Sequence, residues 1–228
     1  MVMATCALLL LGFLWKVFVF YRDIKSGTLV PADFTYAKSK AGNASLNAIA
    51  ASAPGSGELA TSDDPILGSP DAKVVIVEFG DFGCPYSQEE AQIVRALQKT
   101  FSGEVAVIYR DFPLEELHPG ATIAAKVGEC AGEQGKFWEF HDAIFRTTPP
   151  FSEDQVVNVA KSVGVSEGLL RTCLKKSYYD QEVSQDQVDG VNAGVVGTPT
   201  FFINGVKIEG NIPYEDFKNV ITTFIAQP

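Results

Sequence analysis

An apolar run, Val74-Val75-Ile76-Val77-Glu78-Phe79, passes through Gly80-Asp81-Phe82-Gly83 directly into Cys84, and an amphipathic stretch (Gln88, Glu89, Ile93, Val94, Leu97) begins just beyond it. The unbroken β-branched run predicts a buried strand over 73–79, and the apolar spacing that follows predicts a helix over about 85–101. Pro85 suits the first helical position, where its missing N–H costs nothing. Cys84 therefore stands at a helix N-terminus, where free backbone N–H groups and the positive end of the macrodipole favour thiolate over thiol. A nucleophilic sulfur is expected there. The motif that carries it, Cys84-Pro85-Tyr86-Ser87, has a hydroxyl at its fourth position and no second thiol.

The chain divides into three parts. Residues 4–21 (ATCALLLLGFLWKVFVFY) are apolar apart from Lys16 and are just long enough for a transmembrane anchor, with Trp15 and Tyr21 placed for its interfaces. A cleaved signal peptide is the competing reading. Arg22 and Lys25 follow the span with nothing basic before it, which taken alone would keep the domain in the cytoplasm. Residues 22–64 form the link, rich in Ala, Ser, Gly and Asn from about 38 onward, as expected of a flexible tether. From residue 65 to 228 a globular domain is expected, and a hydrophobic content of 46% suffices for its core. The net charge of −10, without clustered Lys or Arg, argues against a nucleic-acid partner.

Within that domain the first strand and helix lead to a second strand over 104–109 with alternating Val105, Val107 and Tyr109. Helical spacing then dominates a stretch of about 117–195, with segments near 121–130, 136–145, 152–163 and 166–175 and with Ser152 and Ser166 as candidate N-caps. Thr200-Phe201-Phe202-Ile203, the turn Asn204-Gly205 and Val206-Lys207-Ile208 predict a hairpin, and an amphipathic helix over 214–225 follows. The fold class expected is α/β, with a helical insertion dividing the strands.

Three motifs together resemble the DsbA-like branch of the thioredoxin superfamily: the Cys84-Pro85-Tyr86 helix start, Gly197-Thr198-Pro199-Thr200 ahead of the hairpin, and Glu78 six residues before the cysteine. The segment from Gly128 to Trp138 also resembles that family, and the likeness covers 65–228. It implies a thioredoxin fold with an inserted helical domain. It also implies a cis peptide bond before Pro199 beside the reactive sulfur, with Thr198 offering backbone groups to a substrate peptide; a proline merely opening a strand is the plainer alternative. Glu78 falls on the family's buried acid, where burial would raise its pKa and let it handle the thiol proton; strand alternation leaves a solvent-facing Glu as the other option. Tyr86 is expected to border the substrate site. In an exported protein Cys130 and Cys173 would form a structural disulfide, against two buried free thiols.

Ser87 alters the chemistry that the resemblance implies. In C-x-x-C enzymes the second thiol resolves the mixed disulfide made by the first, and a hydroxyl cannot do so. Ser87 can still hydrogen-bond to the sulfur of Cys84. Monothiol exchange or isomerisation is then expected, with net oxidation of dithiols disfavoured. No two Cys or His residues stand at zinc-ligand spacing, so neither a metal nor any other cofactor is indicated. His118 and His141 cannot be placed beside Cys84 from the sequence, His141 reads as a packing residue, and Phe137, Trp138, Phe140 and Phe145 read as core.

The leading expectation is a membrane-anchored thiol–disulfide oxidoreductase with its catalytic domain outside the cytoplasm, periplasmic or extracellular. Its partners would be cysteine-bearing substrate proteins and a membrane redox partner. A redox-inactive peptide-binding or chaperone module is the second reading. The third takes Ser87 as a substitution that traps mixed disulfides, against which the retained apolar segment argues.

Overall fold

The computed structural model describes residues 59–176 and 178–227; the anchor expected at 4–21 and most of the linker lie outside the described residues. Among the described residues no helix is long and apolar enough to cross a membrane.

A five-stranded mixed sheet organises the domain. Its strands are β1 (Ile66–Leu67), β2 (Val74–Gly80), β3 (Val105–Asp111), β4 (Thr200–Ile203) and β5 (Val206–Glu209), in the order β1-β3-β2-β4-β5. β2 and β3 are parallel, with Glu78 opposite Tyr109, and every other pairing is antiparallel. The apolar run of β2 is explained by its central place, since both of its faces are covered. Val74 and Ile76 enter a cluster with Val94 and Leu97 of helix α1 (Pro85–Thr100) and with Phe217 and Ile221 of helix α7 (Tyr214–Ala226). Val77 and Phe79 point the other way, to Phe112, Val195 and Phe202.

Five helices lie between β3 and β4: α2 (Ala121–Gly132), α3 (Phe137–Ile144), α4 (Glu153–Ser162), α5 (Glu167–Leu174) and α6 (Tyr178–Asn192). They share a third cluster in which Phe137, Phe140, Ile144 and Leu170 pack together with Phe82 and Tyr109 from the sheet end. The Cys130 and Cys173 sulfurs, on α2 and α5, are joined in a disulfide within it. Ser152 caps α4, its hydroxyl accepting from Gln155 N–H at 3.3 Å, whereas Ser166 makes no side-chain cap on α5. In the hairpin turn Asn204 (φ 46°) and Gly205 (φ 85°) both take positive φ, which this residue pair tolerates best. The Asn204 side chain also accepts from Val75 N–H at 2.8 Å, tying the turn to β2.

Candidate active site

Cys84 is the N-cap of α1, with extended backbone (φ −79°, ψ 124°) and Pro85 in the first turn. Its carbonyl accepts from Gln88 N–H at 3.0 Å, opening the helix, and its own N–H donates to the Asp81 carbonyl at 3.0 Å. Only 4% of the residue is exposed. Across from it the Thr198–Pro199 bond is cis, and the Cys84 thiol donates to the Thr198 carbonyl at 3.3 Å. The structure thus brings together Cys84, Pro85, Thr198 and Pro199, from segments more than a hundred residues apart. With Cys130 and Cys173 bridged, Cys84 is the free cysteine among the described residues.

Ser87 is fully buried in the first turn of α1, but its hydroxyl accepts from Asp81 N–H at 3.4 Å and is not bonded to the sulfur. It braces the loop that delivers Cys84. Tyr86, one residue earlier, is exposed.

Glu78 is fully buried on the face of the sheet that α1 covers, and neither carboxylate oxygen has a hydrogen-bond partner among the described residues. Burial, reinforced by the nearby Glu90 carboxyl, pushes its pKa up to about 8. Glu90 on α1 is itself buried and raised to about 7, chiefly by burial, while one of its oxygens accepts from Ile212 N–H. Tyr109, opposite Glu78 in the ladder, is buried with its hydroxyl unpartnered, and its ring lies where a Cβ on Gly80 would stand, 2.5 Å away. Burial drives the Tyr109 pKa upward, followed by the charges of Asp111, Glu78, Asp81 and Cys84. Glu78, Glu90 and Tyr109 are therefore a set of proton-holding groups on the strands and helix that flank Cys84, of which the sequence singled out Glu78 alone.

Asp81 and His118 complete the surroundings. Buried Asp81 accepts from Gly83 N–H at 2.7 Å and from Leu114 N–H at 2.9 Å, and it meets His118 Nδ1 at 2.7 Å. His118 packs so close to Gly83 that a Cβ there would lie 2.6 Å from the histidine Cβ, so residue 83 must be glycine. His118 arrives on the loop after β3, which no local pattern announces. His141 is fully buried among Phe82, Trp138 and Phe145, with burial lowering its pKa, and it belongs to the helical core rather than to the site.

A second polar centre lies behind the sheet. Fully buried Arg110 of β3 donates to Asp186 at 2.8 Å and to Asp189 at 2.9 Å on α6, and its Nε lies 3.2 Å from Asp64. Asp111, Glu129 and Glu182 gather beside it.

A family model described as Thioredoxin matches residues 60–223. Among curated proteins the chain is similar to the Na(+)/H(+) antiporter NhaA 1 of Salinispora arenicola, 33% identical over 164 residues, covering 72% of this chain and 25% of that one. It is likewise similar to NhaA 3 of Salinispora tropica, 34% identical over 152 residues, with 66% and 23% covered. The chain spans about a quarter of the length of the curated relatives it matches. Among solved structures it superposes on alpha-DsbA2 of Wolbachia pipientis, a thiol-disulfide exchange protein, with a TM-score of 0.69 at 20% identity, covering 79% of this chain and 97% of that one. BdbD from Bacillus subtilis in its oxidised form gives 0.66 at 26% identity, with 74% and 96% covered.

Proposed function

The chain belongs to the thioredoxin family whose model spans residues 60–223, and from that membership we propose that it is a thiol–disulfide oxidoreductase working through Cys84 alone. The observation that carries this reading is the one free sulfur among the described residues, at a helix N-terminus and set against a cis-proline, with a hydroxyl in place of the resolving thiol.

The Cys84 thiolate attacks one sulfur of a substrate disulfide, forming a Cys84–substrate bond and releasing the other substrate sulfur as a thiolate. A second thiolate, from the substrate itself or from a small thiol, then attacks the mixed disulfide and returns Cys84 as thiolate. Attack by the substrate's own thiolate gives isomerisation with no net change of oxidation state; a small thiol instead takes the substrate sulfur into a mixed disulfide, which a second small thiol cleaves, so that the substrate disulfide is reduced and two small thiols leave as one disulfide. Glu78, raised to about 8, holds a proton at neutral pH and serves as the internal acid when the sulfur leaves. Backbone groups at Thr198 align an extended substrate segment. The exposed Tyr86, Leu117 and Val196, neighbours in sequence of Cys84, His118 and Thr198, supply apolar contacts for its side chains.

The same reading places the domain outside the cytoplasm, tethered by the apolar segment at 4–21. The buried Cys130–Cys173 bridge supports that location, since such bonds persist in oxidising compartments. Cysteine-bearing proteins are the proposed substrates, with a membrane redox partner as a further source of the second thiol.

The test is isomerisation of a test protein carrying scrambled disulfides, in a buffer with a small thiol. Wild type should restore native pairings and Cys84→Ala should not. Equal rates for the two would sink the reading and favour a peptide-binding module that has lost turnover.

A further inference from the structure

We propose that His118 is the general base that activates the second thiol, the one that frees Cys84 from its mixed disulfide. On the single-sulfur reading above, on which this role rests, Ser87 cannot resolve the intermediate, and a thiol arriving from outside must do so as its thiolate. An ordinary thiol titrates near about 8.5, so little of it is ionised at neutral pH. A base at the site removes that limit.

His118 is placed by a buried carboxyl. Asp81, 1% exposed, accepts from Gly83 N–H at 2.7 Å through Oδ1 and from Leu114 N–H at 2.9 Å through Oδ2, and Oδ2 also meets His118 Nδ1 at 2.7 Å. With two backbone donors already on it, Asp81 is the acceptor here too, so Nδ1 carries the hydrogen and Nε2 the lone pair. The backbone of His118 is pinned as well: its N–H donates to the Leu114 carbonyl at 2.8 Å, and its carbonyl accepts from Ala121 N–H at 3.0 Å at the start of α2. The Nδ1 edge faces Asp81, and the side chain still keeps 19% of its surface exposed, which leaves the Nε2 edge to a thiol from solvent.

The ring also lies against the segment that delivers the sulfur. A Cβ on Gly83 would stand 2.6 Å from His118 Cβ and 3.4 Å from its Cγ, and Gly83 is bonded to Cys84. With consecutive Cα atoms about 3.8 Å apart, His118 Cβ lies within about 8 Å of the Cys84 Cα. Other acids nearby are occupied differently. Glu115 on the same loop accepts from Gly120 N–H and Thr122 N–H, both at 2.8 Å, and Glu116 beside it is exposed. Glu78 is fully buried and holds its proton at neutral pH, so it can supply a departing sulfur but not relieve an arriving thiol.

In the step, the incoming thiol gives its proton to Nε2 while its sulfur bonds to the substrate sulfur. The bond from that sulfur to Cys84 breaks, and the electron pair leaves with Cys84 as thiolate. Asp81 steadies the imidazolium through Nδ1–H, and the proton then passes to water, which restores the base. The thiol that gains most is a small aliphatic one, un-ionised at neutral pH.

The experiment uses the full chain carrying glutathione on Cys84, loaded with oxidised glutathione, and follows release of the adduct by mass spectrometry at pH 7. Two thiols are compared: 2-mercaptoethanol, almost wholly protonated at that pH, and 4-mercaptobenzoate, already largely ionised. His118→Asn keeps an amide N–H for Asp81 but has no base. It should release glutathione to 2-mercaptoethanol roughly 10²-fold more slowly than wild type, and to 4-mercaptobenzoate at close to the wild-type rate. In His118→Ala, which retains the Cβ packed on Gly83, added imidazole should recover part of the lost rate. Equal slowing with both thiols would show that His118 merely holds the loop, and no slowing with either would show that it takes no proton. Either result overturns the proposal, as does a His118→Ala rate that imidazole leaves unmoved. A wild type that takes up no glutathione would instead overturn the single-sulfur reading, and this role with it.

Discussion

Replacing Glu78 by Gln isolates the cost of keeping a buried carboxyl without hydrogen bonds in the central strand that leads to Cys84. In the folded protein the group titrates at about 8 against an ordinary 4.5, so the native state holds its proton more tightly than the unfolded chain does. Stability from this source is complete below pH 4.5 and is lost as the pH rises through 8. At 1.36 kcal/mol per pH unit the full span is worth at most ~5 kcal/mol, of which roughly 3–4 kcal/mol is lost between pH 5 and pH 8. Glutamine cannot ionise, and its unpartnered amide adds a constant penalty of about 1–3 kcal/mol that does not change with pH. Urea unfolding of both proteins at intervals from pH 5 to pH 8 should therefore give a difference in ΔG that moves in the variant's favour by roughly 3–4 kcal/mol across the range. The other raised carboxyls contribute to both proteins and drop out of the comparison. A difference that stays flat with pH would show that Glu78 is ionised in the native state and would refute its role as a buried acid.

Ser87→Cys places a second thiol three residues after Cys84 in the same buried turn, and it should convert the protein to one that stores a disulfide and oxidises a dithiol peptide unaided, read as loss of free thiols. Replacing Cys130 and Cys173 together with Ala opens a cross-link across 43 residues and should cost about 4 kcal/mol by chain entropy, lowering the urea midpoint without abolishing Cys84 reactivity. Arg110→Met strands Asp64 and Asp186 without their cation, and a loss of about 3–5 kcal/mol in the same assay is expected.

Whether a feature was legible in the sequence follows the range of the interactions that create it. The β2–Cys84–α1 unit and the Asn204-Gly205 hairpin are local: strand propensity, a proline at the helix start and two positive-φ residues specify them within a few positions. The family resemblance added Thr198, Pro199 and Glu78, which no short window could connect to Cys84. What stayed hidden comes from tertiary folding. β1 is two residues long and has no periodicity to detect. Asp81 lies inside the motif, yet its acceptor role depends on Leu114 and His118 folding back from beyond β3. Tyr109 reads as an ordinary alternating strand residue, and only the register opposite Glu78 reveals it as part of the proton-holding set. The chemistry of a hydroxyl three residues after Cys84 suggests a hydrogen bond to the sulfur, whereas Ser87 turns instead to the Asp81 backbone. The acids that hold Arg110 come from positions 64, 186 and 189, a spread that no sequence window connects.

The central claim, single-sulfur exchange at Cys84, is tested most directly by intact-protein and peptide mass spectrometry after incubation with oxidised glutathione. One glutathione should attach to Cys84, with none on Cys84→Ala, and a second small thiol should remove it completely. An unreactive Cys84, or an adduct that a second thiol cannot release, would contradict the account.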